Sequence, residues 1–279
     1  MLKKNILVIG ASGLLGKNFC KLFVNKYEII TCGRNKVSSK IKHIDLDLSK
    51  KIKINSLPKD IDVVLYLAQS YNFRDFPNSS EDIFCINTTK VLDFLNYSKE
   101  IGVSQFIYAS TGGVYIQDKI HFEDDFIDAK KLNGFYATSK YCAELLVNSY
   151  KDFFDTVILR PFFMFGIEQK SDMLIPRLIS NIKLHRPIQL QGQNGIKINP
   201  IYVEDAAKIV AKIIDENKTG IYNVAGNTTL SLKELCLIIG DILKKEPIFE
   251  YNENRANDVV GNFAKIGYKD FIKIEESIK

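Results

Sequence analysis

The five cysteines, Cys20, Cys32, Cys85, Cys142 and Cys236, form no CxxC pair, and their number is odd. This excludes a disulfide framework and a cysteine-built metal site, and the thiols read as small buried apolar groups of a reducing compartment. The three histidines, His43, His121 and His185, stand far apart, which argues against zinc. Basic blocks are missing too. The lysines are scattered, as in "KKNI", "SKKIKI" and "LKKEP", and the net charge of +5 is a thin excess of 38 basic over 33 acidic residues. Such an excess solvates a surface and does not point to a nucleic-acid partner. No apolar run is long enough to span a bilayer, so no membrane role is expected. The opening "MLKKNILVIGASGLLG" puts two lysines before an apolar stretch. Glycines break that stretch at the length of a strand, so it is not expected to act as a signal peptide. Linkers, internal repeats and low-complexity segments are also lacking. The expectation is a cytoplasmic globular protein, and 279 residues suit one large α/β domain or a large and a small one.

What is present is a rhythm. "NILVIG", "YEIITCG", "DVVLYLA", "SQFIYAST" and "DTVILRP" are short apolar runs of the buried parallel-strand kind. Between them "LLGKNFCKLFVNK", "DIFCINTTKVLDFLNYSKEIG" and "FYATSKYCAELLVNSYK" carry apolar residues at helical spacing. Alternating strands and helices predict an α/β fold, a doubly wound parallel sheet of Rossmann type. After Pro161 helices such as "MLIPRLISNIKLH" and "LSLKELCLIIGDILKK" alternate with short strands "PIQLQG", "GIYNVAG" and "PIFEY", while "PIYVEDAAKIVAKIIDEN" reads as one more strand and helix of the main sheet. The expected division is a dinucleotide-binding domain over 1–165 plus about 198–216, with a smaller, partly interleaved α/β cap over about 166–197 and 217–279.

"IGASGLLG" places Gly10, Gly13 and Gly16 between the first strand and the first helix. There glycines permit a tight turn, close approach of backbone to a pyrophosphate, and close packing of helix on strand. The free N–H groups of the helix start then face the phosphates. The second strand ends in "TCGRN", with Gly33 and Arg34 where an acidic residue would hold the ribose hydroxyls of NAD. A small residue plus an arginine suits the 2′-phosphate of NADP, so NADP(H) is favoured over NAD(H). Asp47 in "HIDLDLS" is a partner for the adenine amine or a cap of the next turn.

The ordered set "GASGLLG", "LYLAQS", "INTTKVLDF", "YASTGGVY", "YATSK", "RPFFMFG", "IYVEDAAK" and "GIYNVAG" resembles the extended short-chain dehydrogenase/reductases, the NAD-dependent epimerase/dehydratase family, over essentially the whole chain. Members mostly act on nucleotide-activated sugars, so the resemblance implies a nucleotide-sugar substrate. It also implies that Tyr136 is the catalytic acid/base, Lys140 its partner and the holder of the nicotinamide ribose, and Thr111 the hydroxyl that bonds the reacting sugar oxygen, with Ser110 sharing that role. An ordinary tyrosine titrates near about 10, so action at neutral pH requires stabilising its phenolate by roughly 4 kcal/mol. A nearby ammonium and an oxidised nicotinamide supply that by opposite charge. Four residues of spacing put Tyr136 and Lys140 on one helical face. The cofactor set that follows is Gly10, Ser12, Gly13, Leu14, Leu15 and Gly16, then Arg34, Asp47, Leu48, Leu67, Ala68, Lys140 and Pro161. The substrate set is Thr111, Gly112, Tyr136, Phe163 and Arg255. No metal is expected.

Departures from the family pattern narrow the reaction. Gly112 and Gly113 stand where the 4,6-dehydratases carry Asp and Glu, which argues against water elimination. Phe163 replaces an asparagine that many relatives use for the nucleotide-sugar, and the usual arginine before "IYVED" is absent, with Lys197 or Asn199 as substitutes. Hydride transfer at a sugar carbon, most often C4, remains. The first reading is an NADP(H)-preferring 4-ketoreductase, the second an NAD-dependent 4-epimerase, and the third a catalytically silent cofactor-sensing regulator. A homodimer is expected through helices at about 82–100 and 136–150, with Tyr141, Leu145 and Val147 offering apolar surface.

Overall fold

The structure is a computed structural model that describes residues 3–115, 119–254 and 256–278. Seven strands form its main sheet: β1 (Asn5–Ile9), β2 (Glu28–Gly33), β3 (Lys42–Asp45), β4 (Val63–Tyr66), β5 (Gln105–Ala109), β6 (Asp155–Pro161) and β7 (Gly220–Val224), in the order β7-β6-β5-β4-β1-β2-β3. The pairings from β3 through β1 to β6 are parallel. This is the doubly wound Rossmann arrangement, and its strand order reverses between β1 and β4. The fold class read from the alternation of apolar runs is therefore the one observed.

Two strand assignments differ from the sequence reading. "GIYNVAG", expected in the cap, supplies β7 at one edge of the main sheet. Ile201–Tyr202, expected in that sheet, pairs instead with Met164–Phe165 in a separate two-stranded ribbon. The reason lies in α6 (Val203–Asp215), whose Ala206, Ala207, Ile209, Val210, Ile213 and Ile214 are buried. A helix that deeply buried returns the chain to the sheet after it, and the two-residue strand before it is too short to serve there.

The chain divides into two compact units. The first holds residues 1–116, 126–160 and 207–222, and the second holds 117–125, 161–206 and 223–279. In the first, Ile6, Leu7, Val8 and Ile9 of β1 and all of β4 are fully buried, as both-face burial of a parallel strand demands. Helix α1 (Leu14–Phe23) follows the glycine loop. Next come α2 (Ser80–Phe84), a π-helical turn over Cys85–Thr89, and α3 (Lys90–Ile101), which ends on Gly102 in the left-handed conformation. Helix α4 (Gly134–Asn148) buries Ala143 and Val147 in one core with Val91, Phe94 and Leu95 of α3. Val147 is thus spent on this core and offers no surface for the expected dimer contact, whereas Leu145 is exposed.

The second unit packs α5 (Leu174–Lys183) and α7 (Leu232–Leu243) around Leu178, Ile182, Leu235 and Ile239. A capping box at Ser231 and Glu234 starts α7, and α8 (Ile274–Ser277) follows near the end of the chain. A four-stranded sheet joins Leu230–Ser231, Lys197–Ile198, Val259–Gly261 and Lys119–His121. Asn199 is fully buried there: its amide donates to Gly226 O at 3.1 Å and Gly261 O at 2.7 Å and accepts from Gly261 N at 3.1 Å. Its hydrogen bonds hold backbone together, so it does not replace the missing arginine. Lys197 is exposed.

Candidate active site

Parallel strands end their apolar runs together, and the loops after β1, β4 and β5 meet at the strand-order reversal. After β1 the backbone turns at Gly10, where φ is +85°, and Gly13 N donates to Gly10 O at 3.0 Å. A Cβ on Gly10 would lie 2.6 Å from Ala68 N and one on Gly16 2.6 Å from Ala11 Cα. Only glycine allows the two chain segments to approach this closely. Leu67 N donates to Ile9 O at 2.8 Å, continuing the β1–β4 register to Ala68.

Gly13 is the N-cap of α1 with no side-chain cap bond, and the first turn carries no acidic residue. Its N–H groups are left for another acceptor, with the positive end of the helix behind them. Ser12 and Gly13 are exposed beside this helix start, while Leu14 is half-buried and Leu15 buried. A close backbone turn and an uncapped helix start fit the pyrophosphate of a dinucleotide. At the end of β2 nothing lies within 4 Å of a Cβ placed on Gly33. Arg34 is exposed there, and its charge helps hold the Asp47 carboxyl below its ordinary range, after the larger effect of hydrogen bonds from the Ser49 side chain and backbone. Those bonds, from Ser49 Oγ at 2.8 Å and Ser49 N at 3.0 Å, give Asp47 the turn-capping role. The Leu48 carbonyl faces the Cys85 thiol at 3.9 Å.

Tyr136 and Lys140 stand one turn apart on α4, as their spacing predicts. Lys140 is 1% exposed, and its Nζ donates to Ala109 O at 2.8 Å and lies 5.0 Å from the centre of the Tyr108 ring. Burial pushes its pKa down to about 7, against an opposing pull from Glu144. The Tyr136 hydroxyl donates to Gln69 Oε1 at 2.9 Å. Burial pushes its pKa up to about 12, and a hydrogen bond with Thr111 works in the lowering direction. The protein's own groups thus leave the phenol protonated at neutral pH, contrary to a simple ammonium-driven depression.

Thr111 is the second residue after β5, and its hydroxyl accepts from Gly113 N at 3.1 Å, closing the 3-10 turn over Gly112–Val114. Ser110 diverges from the role shared with Thr111: its hydroxyl is buried and donates to Glu144 Oε1. No carboxylate stands at Gly112 or Gly113. Phe73 lies 5.0 Å from the Tyr136 ring, centre to centre, and forms an apolar side to the hydroxyl.

The α4 face is held by the π turn, a distortion that frees backbone carbonyls. Ile86 O accepts from the Tyr66 hydroxyl at 2.7 Å and Asn87 O from the Tyr108 hydroxyl at 3.2 Å. Asn87 is fully buried, accepts from Ser70 N at 3.0 Å and donates to Ser139 Oγ at 3.0 Å. Ser139 lies between Tyr136 and Lys140, so Asn87 ties the loop after β4 to the working face of α4. Gln69 was not singled out in the sequence. The available signal was its place as the first polar side chain after the "LYLA" run.

Pro161 ends β6. Phe163, in the second unit, has φ of +41° and packs on that unit's apolar core. A bulky residue rarely adopts that left-handed conformation, and asparagine does so more readily. Arg255 lies outside the described residues. Among the described residues no group of three or more His, Cys, Asp or Glu side chains is placed to hold a metal ion, and no helix is long and apolar enough to cross a membrane.

A family model described as "NAD dependent epimerase/dehydratase family" matches residues 6–225. A GDP-6-deoxy-D-talose 4-dehydrogenase of Aggregatibacter actinomycetemcomitans is 26% identical over 257 residues, covering 89% of this chain and 83% of that protein. A UDP-glucuronate 4-epimerase of Thermodesulfobacterium geofontis is 26% identical over 250 residues, covering 86% and 77%. Among solved structures, a UDP-N-acetylglucosamine 4-epimerase from Methanobrevibacter ruminantium, in complex with UDP-N-acetylmuramic acid, superposes with a TM-score of 0.87 at 22% identity over 100% of this chain and 96% of that one. That likeness establishes the fold. The match over most of the sequence establishes more: the chain belongs to the NAD-dependent epimerase/dehydratase family.

Proposed function

We propose that this chain is an NAD(P)-dependent oxidoreductase of nucleotide-activated sugars, moving hydride at a sugar carbon and acting as a 4-ketoreductase. The observation that carries the reading is the meeting of the Tyr136 and Thr111 hydroxyls beside buried Lys140, at the sheet end that also holds the glycine turn. When bound, the nicotinamide nucleotide gives or takes the hydride and, oxidised, brings a positive charge. Tyr136 then holds the proton that a ketone oxygen gains, or accepts the one that a hydroxyl loses. Thr111 orients that oxygen. Lys140, held on Ala109 O, would add its charge below the phenol and would hold the nicotinamide ribose of a bound cofactor. Gly112 and Gly113 supply no carboxylate for eliminating water.

A 4-epimerase using NAD is the second reading, favoured by the compact "TGGV" turn and by the similarity to the UDP-glucuronate 4-epimerase of Thermodesulfobacterium geofontis. The chain works as a homodimer through α3 and α4, where Leu145 stays exposed. The deciding experiment identifies the nucleotide retained on purification, then assays UDP-, dTDP- and GDP-linked hexoses and 4-ketohexoses with NADPH and with NADH. Consumption of NADPH by a 4-keto substrate supports the reductase. Retained NAD with interconversion of two hexoses, and no added reductant, supports the epimerase. Tyr136→Phe should lower turnover by about 10³-fold with nucleotide binding intact, and unchanged turnover would overturn the whole reading.

A further inference from the structure

Beneath Thr111 lies a buried polar network that the proposed chemistry does not use. Glu144 and Arg160 are 3% and 2% exposed. Arg160 grips the Glu144 carboxylate with both edges of its fork, Nε to Oε1 at 3.1 Å and Nη2 to Oε2 at 2.6 Å. Each ion then reaches one end of the same short segment. Glu144 Oε1 accepts from the Ser110 hydroxyl, and Arg160 Nη1 donates to the Tyr115 hydroxyl at 2.8 Å, with its guanidinium 4.7 Å from the Tyr115 ring centre. Between these anchors lie Thr111 and the turn that its hydroxyl closes through Gly113 N.

We propose that the Glu144–Arg160 pair is a clamp on the Ser110–Tyr115 segment, and that Ser110 and Tyr115 are positioning residues for the Thr111 hydroxyl against Tyr136. This rests on the reading of Tyr136 and Thr111 given above. An ion pair stripped of water is an expensive way to stabilise a core that apolar side chains would fill as well. It is a good way to fix a geometry, because a two-pronged guanidinium–carboxylate contact allows little rotation or slip. The network also explains why α4 carries Glu144 one turn beyond Lys140. The helix that presents Tyr136 thereby holds the loop that presents Thr111, so the two hydroxyls share one support.

The test needs no sugar substrate. Tyr136 meets Gln69 after β4, Thr111 after β5 and Tyr108 on β5, and on its own helix Lys140 and Glu144 follow at one-turn intervals. In the full chain saturated with NAD, tyrosinate absorbance should show one tyrosine ionising below the others, and Tyr136→Phe should remove that step. Ser110→Ala and Tyr115→Phe, each with NAD affinity and melting temperature retained, should raise the midpoint of that step by about 1 pH unit, a tenfold loss of phenolate. A step unmoved in both variants, or moved only together with lost NAD affinity and lower melting temperature, overturns the clamp and leaves Tyr136 in place. Absence of any step that Tyr136→Phe removes overturns the reading of Tyr136, and the clamp with it.

Discussion

Lys140 Nζ sits 2.8 Å from the Ala109 carbonyl oxygen, a buried cation held by a neutral acceptor. The carboxylate one turn away, Glu144, is occupied by Arg160 and Ser110. The ammonium is therefore under-compensated, and burial drives its pKa down to about 7. A group kept uncomfortable in this way is available to a cofactor ribose and a phenolate, at a cost to folding.

That cost is measurable by replacing the lysine. In the unfolded chain the group titrates at its ordinary value of 10.5, and in the fold at about 7. Between those values the unfolded chain binds more protons, so stability rises with pH through the window, and the full penalty is felt below it. Lys140→Met should relieve roughly 5 kcal/mol at low pH, against about 1–3 kcal/mol for stranding the Ala109 carbonyl. Thermal melts should show the variant gaining on the wild type at pH 6 and the gain shrinking by pH 9.5, while turnover is lost. An equal difference at both pH values would refute the under-compensated cation.

The glycine loop separates packing from ligand binding. At Gly10 an added Cβ would meet Ala68 N at 2.6 Å on a backbone with φ of +85°. Gly10→Ala should therefore lower the melting temperature as well as nucleotide affinity. At Gly13 the nearest atom is Gly10 O at 3.3 Å and φ is −73°, which any residue tolerates. Gly13→Ala should fold with a nearly unchanged melt and bind nucleotide at least about tenfold more weakly, because its methyl stands over the uncapped helix start. Equal melting losses in both variants would contradict this division.

The sheet was legible because both-face burial leaves unbroken apolar runs, and β1, β2, β4, β5 and β6 each carry one. β3, "KHID", was not legible: it is a polar edge strand, defined by pairing with β2 and not by its own composition. The strand Lys119–His121 belongs to the second unit for the same kind of reason, its partner Val259–Gly261 lying far along the chain. In the site, Tyr136, Lys140, Thr111 and the glycines follow from local spacing and motif. Gln69 and the Glu144–Arg160 pair act through contacts between segments distant in sequence, and no local pattern announces a hydrogen bond of that kind.

The proposed subunit contact places a direct demand on α4. Leu145 is 53% exposed on a helix whose opposite face is buried by Ala143 and Val147. Leu145→Glu would cost little in a monomer, since its side chain already meets solvent. Across a two-fold axis it would face its own copy, with like charges desolvated together. Sedimentation should show a dimer for the wild type and a monomer for the variant, with unchanged helical content. A wild type that sediments as a monomer would remove this contact from the proposal.

Arg34 is the residue on which the proposed NADP(H) preference is tested. It lies exposed at the end of β2, next to the open space at Gly33, and its charge acts on Asp47, whose carboxylate is already engaged by Ser49. A guanidinium placed so is available to a phosphate on the adenosine ribose and adds little for a bare hydroxyl, because charge-assisted bonds to phosphate are roughly twice as strong as neutral ones. Arg34→Ala should weaken NADPH binding by about tenfold or more and leave NADH within about twofold. Fluorescence titration of the stripped protein measures both. If the wild type already prefers NADH, and Arg34→Ala changes neither affinity, the arginine is a surface residue, the NADP assignment falls, and the 4-epimerase becomes the stronger account of the site.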